Sequence, residues 1–385
     1  MKTMTLQRES TPSSSTCLLL AFELGERRWK VGFTVGIGQR PRVRDLAAGA
    51  VACLDDEIKR AKQQFGVPSD APVISCYEAG RDGFWLHRYL VAHGITNHVV
   101  DSSSIEVSRR ARRAKTDRLD LRGLLTLLAR FVQGERRLWH VVRVPSVTEE
   151  DARHLPRTIE AVTQHRTRLI NRVKGLLATH GVRCRVDADF LRTIGEVRLW
   201  DGTPLPPGLA ERLRTEWAQL THIAQQLRAL KAARTKRQRD LTTTHGRTMT
   251  PLLRVRGVGP TSATVLTAEI FGWRQIRNRR QLGALVGLVP APYQSGEMQR
   301  DQGITRAGNT HARHVIMQVA WGWVRYQPLS GLTQWYQHRF GGGGKRLQRV
   351  GIVALARKLL IALWRYLERG VIPDGAQLKP LRMRA

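Results

Sequence analysis

Two carboxylates three residues apart follow a run of positive charge in the segment RRARRAKTDRLDLR, at residues 109–122. The cations of this basic run are Arg109, Arg110, Arg112, Arg113 and Lys115. On a helix, Asp117 and Asp120 would project from the same face. The pair can cap a helix and compensate its dipole, or it can hold a metal ion beside a polyanion that the basic run attracts. Both interpretations predict a helix that begins near Thr116.

Two further carboxylates stand at the ends of predicted strands. Glu23 ends or closely follows the strand CLLLAF, and Glu78 ends the strand VISCY. Together with the pair on the helix they would converge at one edge of a sheet, where carboxylate oxygens suit Mg²⁺ and where one or two ions can assist phosphodiester chemistry. The predicted metal and catalytic set is therefore Glu23, Glu78, Asp117 and Asp120. Three nearby acids remain alternatives for any member: Glu26, Asp82 and Asp101.

The elements that must position these acids lie in residues 16–145. TCLLLAF and RWKVGFT are typical of two strands, and APVISCY and ITNHVVD of two more. Helices are expected over residues 45–65, around GFWLHRYLVAHG and from about Thr116. Strands and helices in this order predict an α/β domain with a mixed sheet flanked by helices. Residues 1–15 are expected to form a disordered polar leader.

Strand signals stop at about residue 146, and residues 146–248 are predicted to form a helical stalk. An apolar stripe with spacings of three and four runs along it through Leu213, Trp217, Leu220, Ile223 or Ala224, Leu227 and Leu230. Such a stripe favours either one half of an intramolecular helical hairpin or a coiled-coil dimer contact. The sequence leaves both alternatives open.

Residues 249–370 are predicted to form an all-α domain, followed by a tail at 371–385. In LLRVRGVGPTSATVLTAEI, Gly257 and Gly259 would lie in a hairpin between two helices. Helix-hairpin-helix elements turn backbone amides towards a phosphate in this way. A tight turn between helices would need the same glycines, so the phosphate contact is a hypothesis.

The charge of the chain indicates its partner. Its 64 Lys and Arg against 31 Asp and Glu give a net charge of +33, which favours binding to a nucleic acid. The most apolar late segment, VGIVALARKLLIALW, has Arg357 and Lys358 in its middle and is shorter than the roughly 20 residues that a membrane span needs. We expect a cytoplasmic protein with no membrane association.

Several segments together resemble a known family. They are YEAGRDGFWLHRYL, RRARRAKTDRLD, GVGPTSATVLTAEI, LGALVGLVPAPYQSGE and GITRAGNTHARHVIMQVAW. This combination, found between about residues 17 and 365, resembles the insertion-sequence transposases with a DEDD acidic set, described as bridge-RNA-guided serine recombinases. In particular, K-T-D-x-x-D is followed far downstream by Q-S-G and R-x-G-N.

The resemblance implies a ribonuclease-H-like, resolvase-like N-terminal domain, a helical stalk and a C-terminal transposase domain with a catalytic serine. The acids fall on Glu23, Glu78, Asp117 and Asp120, and the serine of Q-S-G falls on Ser295. The first acid of the family is usually Asp, and Glu23 is one methylene longer. The implied partners are donor and target DNA, a structured noncoding guide RNA and further copies of the chain, as a dimer or a dimer of dimers. Arg300, Arg306 and Arg313 are candidate clamps on phosphates.

Two other functions compete with recombination. One is a Mg²⁺-dependent, junction-selective DNA endonuclease without a serine intermediate. The other is a catalytically decayed protein that only binds nucleic acid. A covalent protein–DNA adduct would separate recombination from both, because only recombination through the serine forms one among these three functions.

Overall fold

The computed structural model describes residues 17–105, 117–187, 190, 194–295 and 298–380, with the backbone alone at 103, 117, 118, 292–295 and 298–302. The predicted leader at 1–15 and the basic run at 109–115 lie outside the described residues. The chain divides into two compact units, Met1–Val144 and Pro145–Ala385. No helix in the described ranges combines the length and hydropathy required to cross a bilayer.

The first unit is a mixed α/β structure. In chain order its main elements are β1 (Leu18–Leu24), β2 (Arg28–Thr34), β3 (Arg42–Ala47), α1 (Val51–Gln64), β4 (Val73–Glu78), α2 (Trp85–Ala92), β5 (Thr96–Val100) and α3 (Asp117–Val132). The strands form one five-stranded sheet in the order β3-β2-β1-β4-β5. The β1–β2 and β2–β3 pairs are antiparallel, whereas β1–β4 and β4–β5 are parallel. The predicted mixed sheet with flanking helices is confirmed.

Burial on both faces explains the apolar run of β1. Leu18, Leu20 and Phe22 belong to the core that includes residues of α1 and α2. Leu19 and Ala21 point the other way, into the core formed with α3. Successive side chains of a strand alternate between faces, so a central strand covered on both sides must be apolar at every position.

One boundary predicted in this unit was wrong. The helix expected over residues 45–65 begins only at Val51, because residues up to Ala47 form β3 at the edge of the sheet. The strand RVRDLA has only three apolar residues, Val43, Leu46 and Ala47, and its side chains are half-exposed or exposed throughout. An edge strand of this kind lacks the alternation that identifies strands in a sequence.

The second unit is mostly helical. Its main elements are α4 (Val147–Asp151), α5 (His154–Ala178), α6 (Pro207–Arg239), α7 (Thr244–Arg254), α8 (Pro260–Leu266), a π-helical turn (Thr267–Phe271), α9 (Arg279–Leu285), β6 (Pro290–Ser295), β7 (Met298–Ile304), α10 (Thr310–Tyr326), α11 (Gly331–Tyr336), a second π-helical turn (Gln337–Gly341) and α12 (Lys345–Arg369). The expectation of an all-α domain over 249–370 is corrected by the antiparallel β6–β7 hairpin. Pro290 and Pro292 disfavour a helix there, and Tyr293 suits a strand.

The predicted apolar stripe is buried within the chain. Leu213, Leu220 and Leu227 of α6 share a core with Leu169 and Val173 of α5. Helices α5 and α6 thus form an intramolecular hairpin, which was the first of the two alternatives. An ion pair between the Arg172 guanidinium and the nearly buried Glu216 carboxylate, 3.1 Å apart, also joins them.

Candidate active site

Glu23 and Glu78 line one cleft in the first unit. The cleft has a volume of about 350 Å³, and its wall also includes Tyr77, Glu26 and Asp82. Ala21 is paired with Cys76 and Phe22 with Tyr77 across the parallel strands β1 and β4. Glu23 and Glu78 are the next residues along the two strands. The parallel pairing therefore brings two carboxylates to one end of the sheet.

The same two residues lie on the face of the sheet that α3 covers. Leu19 and Ala21 of β1, and Cys76 of β4, pack in the core that includes α3. Since side chains alternate along a strand, Glu23 and Glu78 belong to this face. Burial raises the pKa of the Cys76 thiol, and the charge of Glu78 raises it further. This effect agrees with the placement of Cys76 and Glu78 on the same face of the sheet.

Helix α3 starts against the middle of this sheet. A Cβ added to Gly32 would lie 2.7 Å from Leu125 Cδ1 and 3.1 Å from the Leu121 side chain. Gly32 is the cross-strand partner of Ala21, two residues before Glu23. The close approach that this glycine permits holds the first turns of α3 on the face that carries the acids.

The remaining two acids are on that helix. Asp117 is the first described residue of α3, where its backbone alone is described, and Asp120 is half-buried. Asp120 does not belong to the described wall of the cleft. Within the described side chains no group of three or more His, Cys, Asp or Glu could hold a metal ion. The four-acid set therefore stays a prediction, and its basic run lies outside the described residues.

Ser295 lies at the end of β6, where its backbone is paired with Met298 at the tip of the β6–β7 hairpin. Arg300 on β7 is paired with Tyr293. The side chains of Ser295 and Arg300 are outside the described part of the chain. The catalytic role of Ser295 stays a prediction.

The R-x-G-N segment continues directly from this hairpin. The Arg306 amide donates to the Gly287 carbonyl, and the Asn309 amide donates to the Leu285 carbonyl at 2.8 Å. A Cβ at Gly308 would lie 2.3 Å from that same carbonyl oxygen. The segment is thus held by backbone contacts with the end of α9, which only a glycine at position 308 permits.

Two of the predicted phosphate clamps differ in their surroundings. Arg313 Nη1 donates to the carbonyls of Val286 and Arg306, at 3.0 and 2.9 Å, so this guanidinium supports the loop. The Arg306 side chain is exposed, and its φ of 56° lies in the left-handed region that few residues other than glycine adopt. Their contacts with nucleic acid stay predictions.

A buried carboxylate that the sequence analysis missed fixes the same segment. Glu269 lies in the π-helical turn, with its side chain fully buried. Arg157 of α5 donates to it from Nε at 2.7 Å and from Nη2 at 3.0 Å, and Asn309 donates from Nδ2 at 2.7 Å. Asn309 Oδ1 also accepts from the Ala312 amide and so caps α10. Burial alone would raise the pKa of Glu269, but the hydrogen bonds and charge of Arg157 and the bond from Asn309 keep it below its ordinary value.

The predicted helix-hairpin-helix element is formed by α7, residues 255–259 and α8. Gly257 has a φ of 92°, and Gly259 is the N-cap residue of α8. The buried Gln327 amide donates to the carbonyls of Arg256 and Gln377, at 2.8 and 2.9 Å. Residues beyond the end of α12 therefore hold the hairpin in place. The contact of Gly257 and Gly259 with phosphate stays a prediction.

Comparison with known proteins identifies the family of the chain. Residues 249–335 match the Transposase IS116/IS110/IS902 family, and this range includes the hairpin, Glu269, Ser295 and Asn309. The chain is 37% identical over 375 residues to the putative transposase y4rJ of Sinorhizobium fredii, covering 94% of each protein. It is 24% identical over 327 residues to the transposase for insertion sequence element IS1111A of Coxiella burnetii, covering 81% of this chain and 82% of that protein. The chain therefore belongs to the IS116/IS110/IS902 family of transposases.

Proposed function

We propose that the protein excises and inserts its insertion sequence by DNA strand cleavage and exchange, with Ser295 as nucleophile and a Mg²⁺-binding set formed by Glu23, Glu78, Asp117 and Asp120. The observation that carries this proposal is the meeting of Glu23 and Glu78 in one cleft, on the sheet face that α3 covers. The mixed sheet order β3-β2-β1-β4-β5 supports the assignment of this unit as ribonuclease-H-like.

The residues of the cleft fit a hard divalent cation in their chemistry. Both Glu23 and Glu78 offer carboxylate oxygens, the ligands that Mg²⁺ prefers. The longer side chain of Glu23 still supplies an oxygen, and Asp117 and Asp120 would add two from α3. Bound Mg²⁺ would supply charge stabilisation for a phosphodiester under attack.

The serine would conserve the energy of the bond that it breaks. Ser295 Oγ forms a bond to phosphorus, one bridging P–O bond breaks, and that oxygen leaves as a hydroxyl on the strand end. The proton lost from Ser295 passes to a base or to water. Attack by a new strand end on the phosphoserine reverses these steps and rejoins DNA without an external energy source. Arg300 and Arg306 would bind the phosphates beside the broken bond.

A guide RNA accounts for much of the positive charge. A net charge of +33 exceeds what a protein needs for solubility, and the cations extend through both units. We propose that the protein binds a structured noncoding RNA together with donor and target DNA, and that it acts as a dimer or a dimer of dimers. Sequencing RNA that copurifies with the protein tests this part: one discrete species encoded beside the gene is expected, whereas a random mixture of cellular RNA would contradict it.

The catalytic part is tested by comparing Ser295→Ala with the wild type on DNA that carries the element ends. Loss of the covalent protein–DNA adduct and of strand exchange is expected, by at least about 10³-fold, as for other parts of a catalytic unit. Unchanged strand cleavage by Ser295→Ala would instead establish the hydrolytic endonuclease. A wild type that binds DNA and RNA but cleaves neither DNA strand would establish the decayed protein.

The acidic set has a matched control within the same cleft. Glu78→Gln should abolish cleavage while binding of DNA and RNA remains, and Asp120→Asn should do the same. Glu26, which is exposed in the same cleft and ion-paired with Arg81 at 3.3 Å, is outside the set, so Glu26→Gln should retain activity. Full activity of Glu78→Gln or Asp120→Asn would refute the assignment of that residue as a metal ligand.

A further inference from the structure

A second cavity lies within the helical unit, away from the acidic cleft. Its volume is about 520 Å³, and it is bounded by the start of α5, the end of α6, the first turns of α7 and the π-helical turn at Thr267–Phe271. Arg237, Asp240 and Thr244 of its wall are exposed, so the cavity reaches the surface. Neither Ser295 nor a member of the acidic set lines it.

One cation of the wall has its charge uncompensated. Arg234 Nη1 donates to the Thr261 hydroxyl at 2.8 Å, while its Nε is buried without a hydrogen-bond partner. Burial lowers the pKa of the Arg234 guanidinium, and no carboxylate of the described residues offsets this effect. A partly buried guanidinium without a counterion is unfavourable, so a bound anion would stabilise Arg234.

The acids of the same wall already have partners. Asp151 is ion-paired with Arg237 at 3.7 Å, and Asp240 accepts from the amide and the hydroxyl of Thr242. Glu149 accepts from the Ser146 amide in a capping box. None of these partners is Arg234, so an anionic ligand would supply the counterion that this guanidinium lacks.

Two other parts of the wall can also donate hydrogen bonds to an anion. The wall includes Thr244 and His245, the first residues of the 11-residue helix α7, where backbone amides and the helix dipole favour negative charge. Thr267 is fully buried in the wall, and its hydroxyl has no hydrogen-bond partner. The π-helical turn begins at this residue, and such turns are frequent at functional sites.

The rest of the wall suits a flat apolar group. Leu155, Pro156, Met249 and Trp273 form it, and a phosphate by itself would leave most of the 520 Å³ empty. Small-molecule sites have this volume and this mixture of apolar wall and a few polar groups. We propose that the cavity binds one nucleotide, with its phosphate beside Arg234 and the first turn of α7 and its base against the apolar wall.

The nucleotide can be a free nucleoside 5′-monophosphate or one residue turned out of a bound strand, as in proteins that extrude a base. Both share the same phosphate and base. The proposal is independent of the serine and of the acidic set, because it concerns binding alone, in a cavity that neither contributes to.

The test measures binding of the four nucleoside 5′-monophosphates and of inorganic phosphate to the full-length protein freed of nucleic acid. Arg234→Met should lower nucleotide affinity at least about tenfold, or ~1.4 kcal/mol. Thr267→Val, which removes only the hydroxyl, should lower it severalfold. Arg228→Met is the matched control, since Arg228 is an exposed cation of the same helix outside the wall, and it should leave affinity unchanged.

A duplex with one unpaired 2-aminopurine nucleotide separates the two sources. Fluorescence quenching that mononucleotides reverse, and that Arg234→Met abolishes, establishes a residue of a strand. Binding of mononucleotides without competition by the duplex establishes a free nucleotide. The proposal is overturned if no nucleotide binds, if Arg228→Met and Arg234→Met weaken binding equally, or if inorganic phosphate binds as tightly as the nucleotides.

Discussion

Replacement of Glu269 by Gln should destabilise the R-x-G-N segment, which follows the β6–β7 hairpin that carries Ser295. The wild-type carboxylate accepts two hydrogen bonds from Arg157 and one from Asn309, with all three distances between 2.7 and 3.0 Å. A Gln side chain has nearly the same size but offers one acceptor oxygen and one NH₂ donor. Whichever way the amide turns, its NH₂ faces at least one donor, and the charge that balances Arg157 is lost.

The magnitude follows from the burial of the carboxylate. Removing one partner of a buried ion pair costs about 3–5 kcal/mol. The Arg157 side chain is half-exposed and can turn to water, so we expect about 3 kcal/mol, the lower end of that range. Glu211→Gln is the control, because the Glu211–Arg214 pair has a similar distance of 3.1 Å but lies on the surface, where a change within about 0.5 kcal/mol is expected.

Hydrogen exchange of backbone amides in α10 measures this change, since a chain of two units need not unfold in a single step. The opening free energy of the first turns of α10 should fall by about 3 kcal/mol in Glu269→Gln and remain unchanged in Glu211→Gln. A loss below about 1 kcal/mol in Glu269→Gln, or an equal loss in both variants, would refute the structural role of this carboxylate.

The pH dependence provides a second readout. Because the pKa of Glu269 in the folded protein is below its ordinary value, its stabilising effect is present at neutral pH and is lost as the pH falls through the folded value. The protonated side chain then resembles Gln. The difference between wild type and Glu269→Gln should therefore diminish in acid, and a constant difference down to pH 3, by about which the ordinary carboxyl is protonated, would contradict the assignment.

Three further changes test other parts of the structure. Gly32→Ala should cost about 1–3 kcal/mol and lower cleavage, because the added Cβ would lie 2.7 Å from Leu125 Cδ1 and displace α3; unchanged unfolding and cleavage would contradict this packing. Arg306→Gly should raise the free energy of unfolding by about 1 kcal/mol, because glycine adopts a left-handed backbone without strain. Its DNA affinity should fall as much as that of Arg306→Ala, and full affinity in both variants would show that Arg306 does not contact DNA. His98 has a pKa lowered by burial, and by His87 and Arg136, so folding disfavours its protonated form and stability should decrease as the pH falls below about 6.5. His98→Gln should weaken that decrease, as amide exchange in β5 would show.

The first unit could be predicted from the sequence where burial imposes a pattern. Strands β1, β2, β4 and β5 have apolar runs because the sheet is covered on both faces. The positions of Glu23 and Glu78 at strand ends followed from these runs. That the two acids share a cleft depends on the parallel register of β1 and β4, which pairs Phe22 with Tyr77. Register is a tertiary property, so the sequence could only suggest the meeting of the acids.

The features that were missed depend on contacts distant in the chain. The hairpin sequence PAPYQSGEMQRDQGI has no alternation of apolar and polar residues, so Tyr293 alone was too weak a signal to distinguish its strands from a loop. Glu269 did leave a signal, a single carboxylate within the apolar run ATVLTAEIFGW. A charge in such a run requires a buried partner, but neither Arg157, 112 positions earlier, nor Asn309, 40 positions later, could be identified without the fold.

The R-x-G-N segment contains both structural residues and a candidate contact with DNA. Gly308 permits the backbone to approach Leu285, and Asn309 is occupied by Glu269 and by the cap of α10. The Asn309 amide is thus not available to a substrate in this arrangement, and Gly308 has no side chain to offer one. Arg306 differs, because its backbone would be less strained with glycine, the residue at positions 303 and 308, where φ is also positive. An arginine at a position that favours glycine, with its side chain exposed after the β6–β7 hairpin, supports the proposal that its guanidinium binds a DNA phosphate.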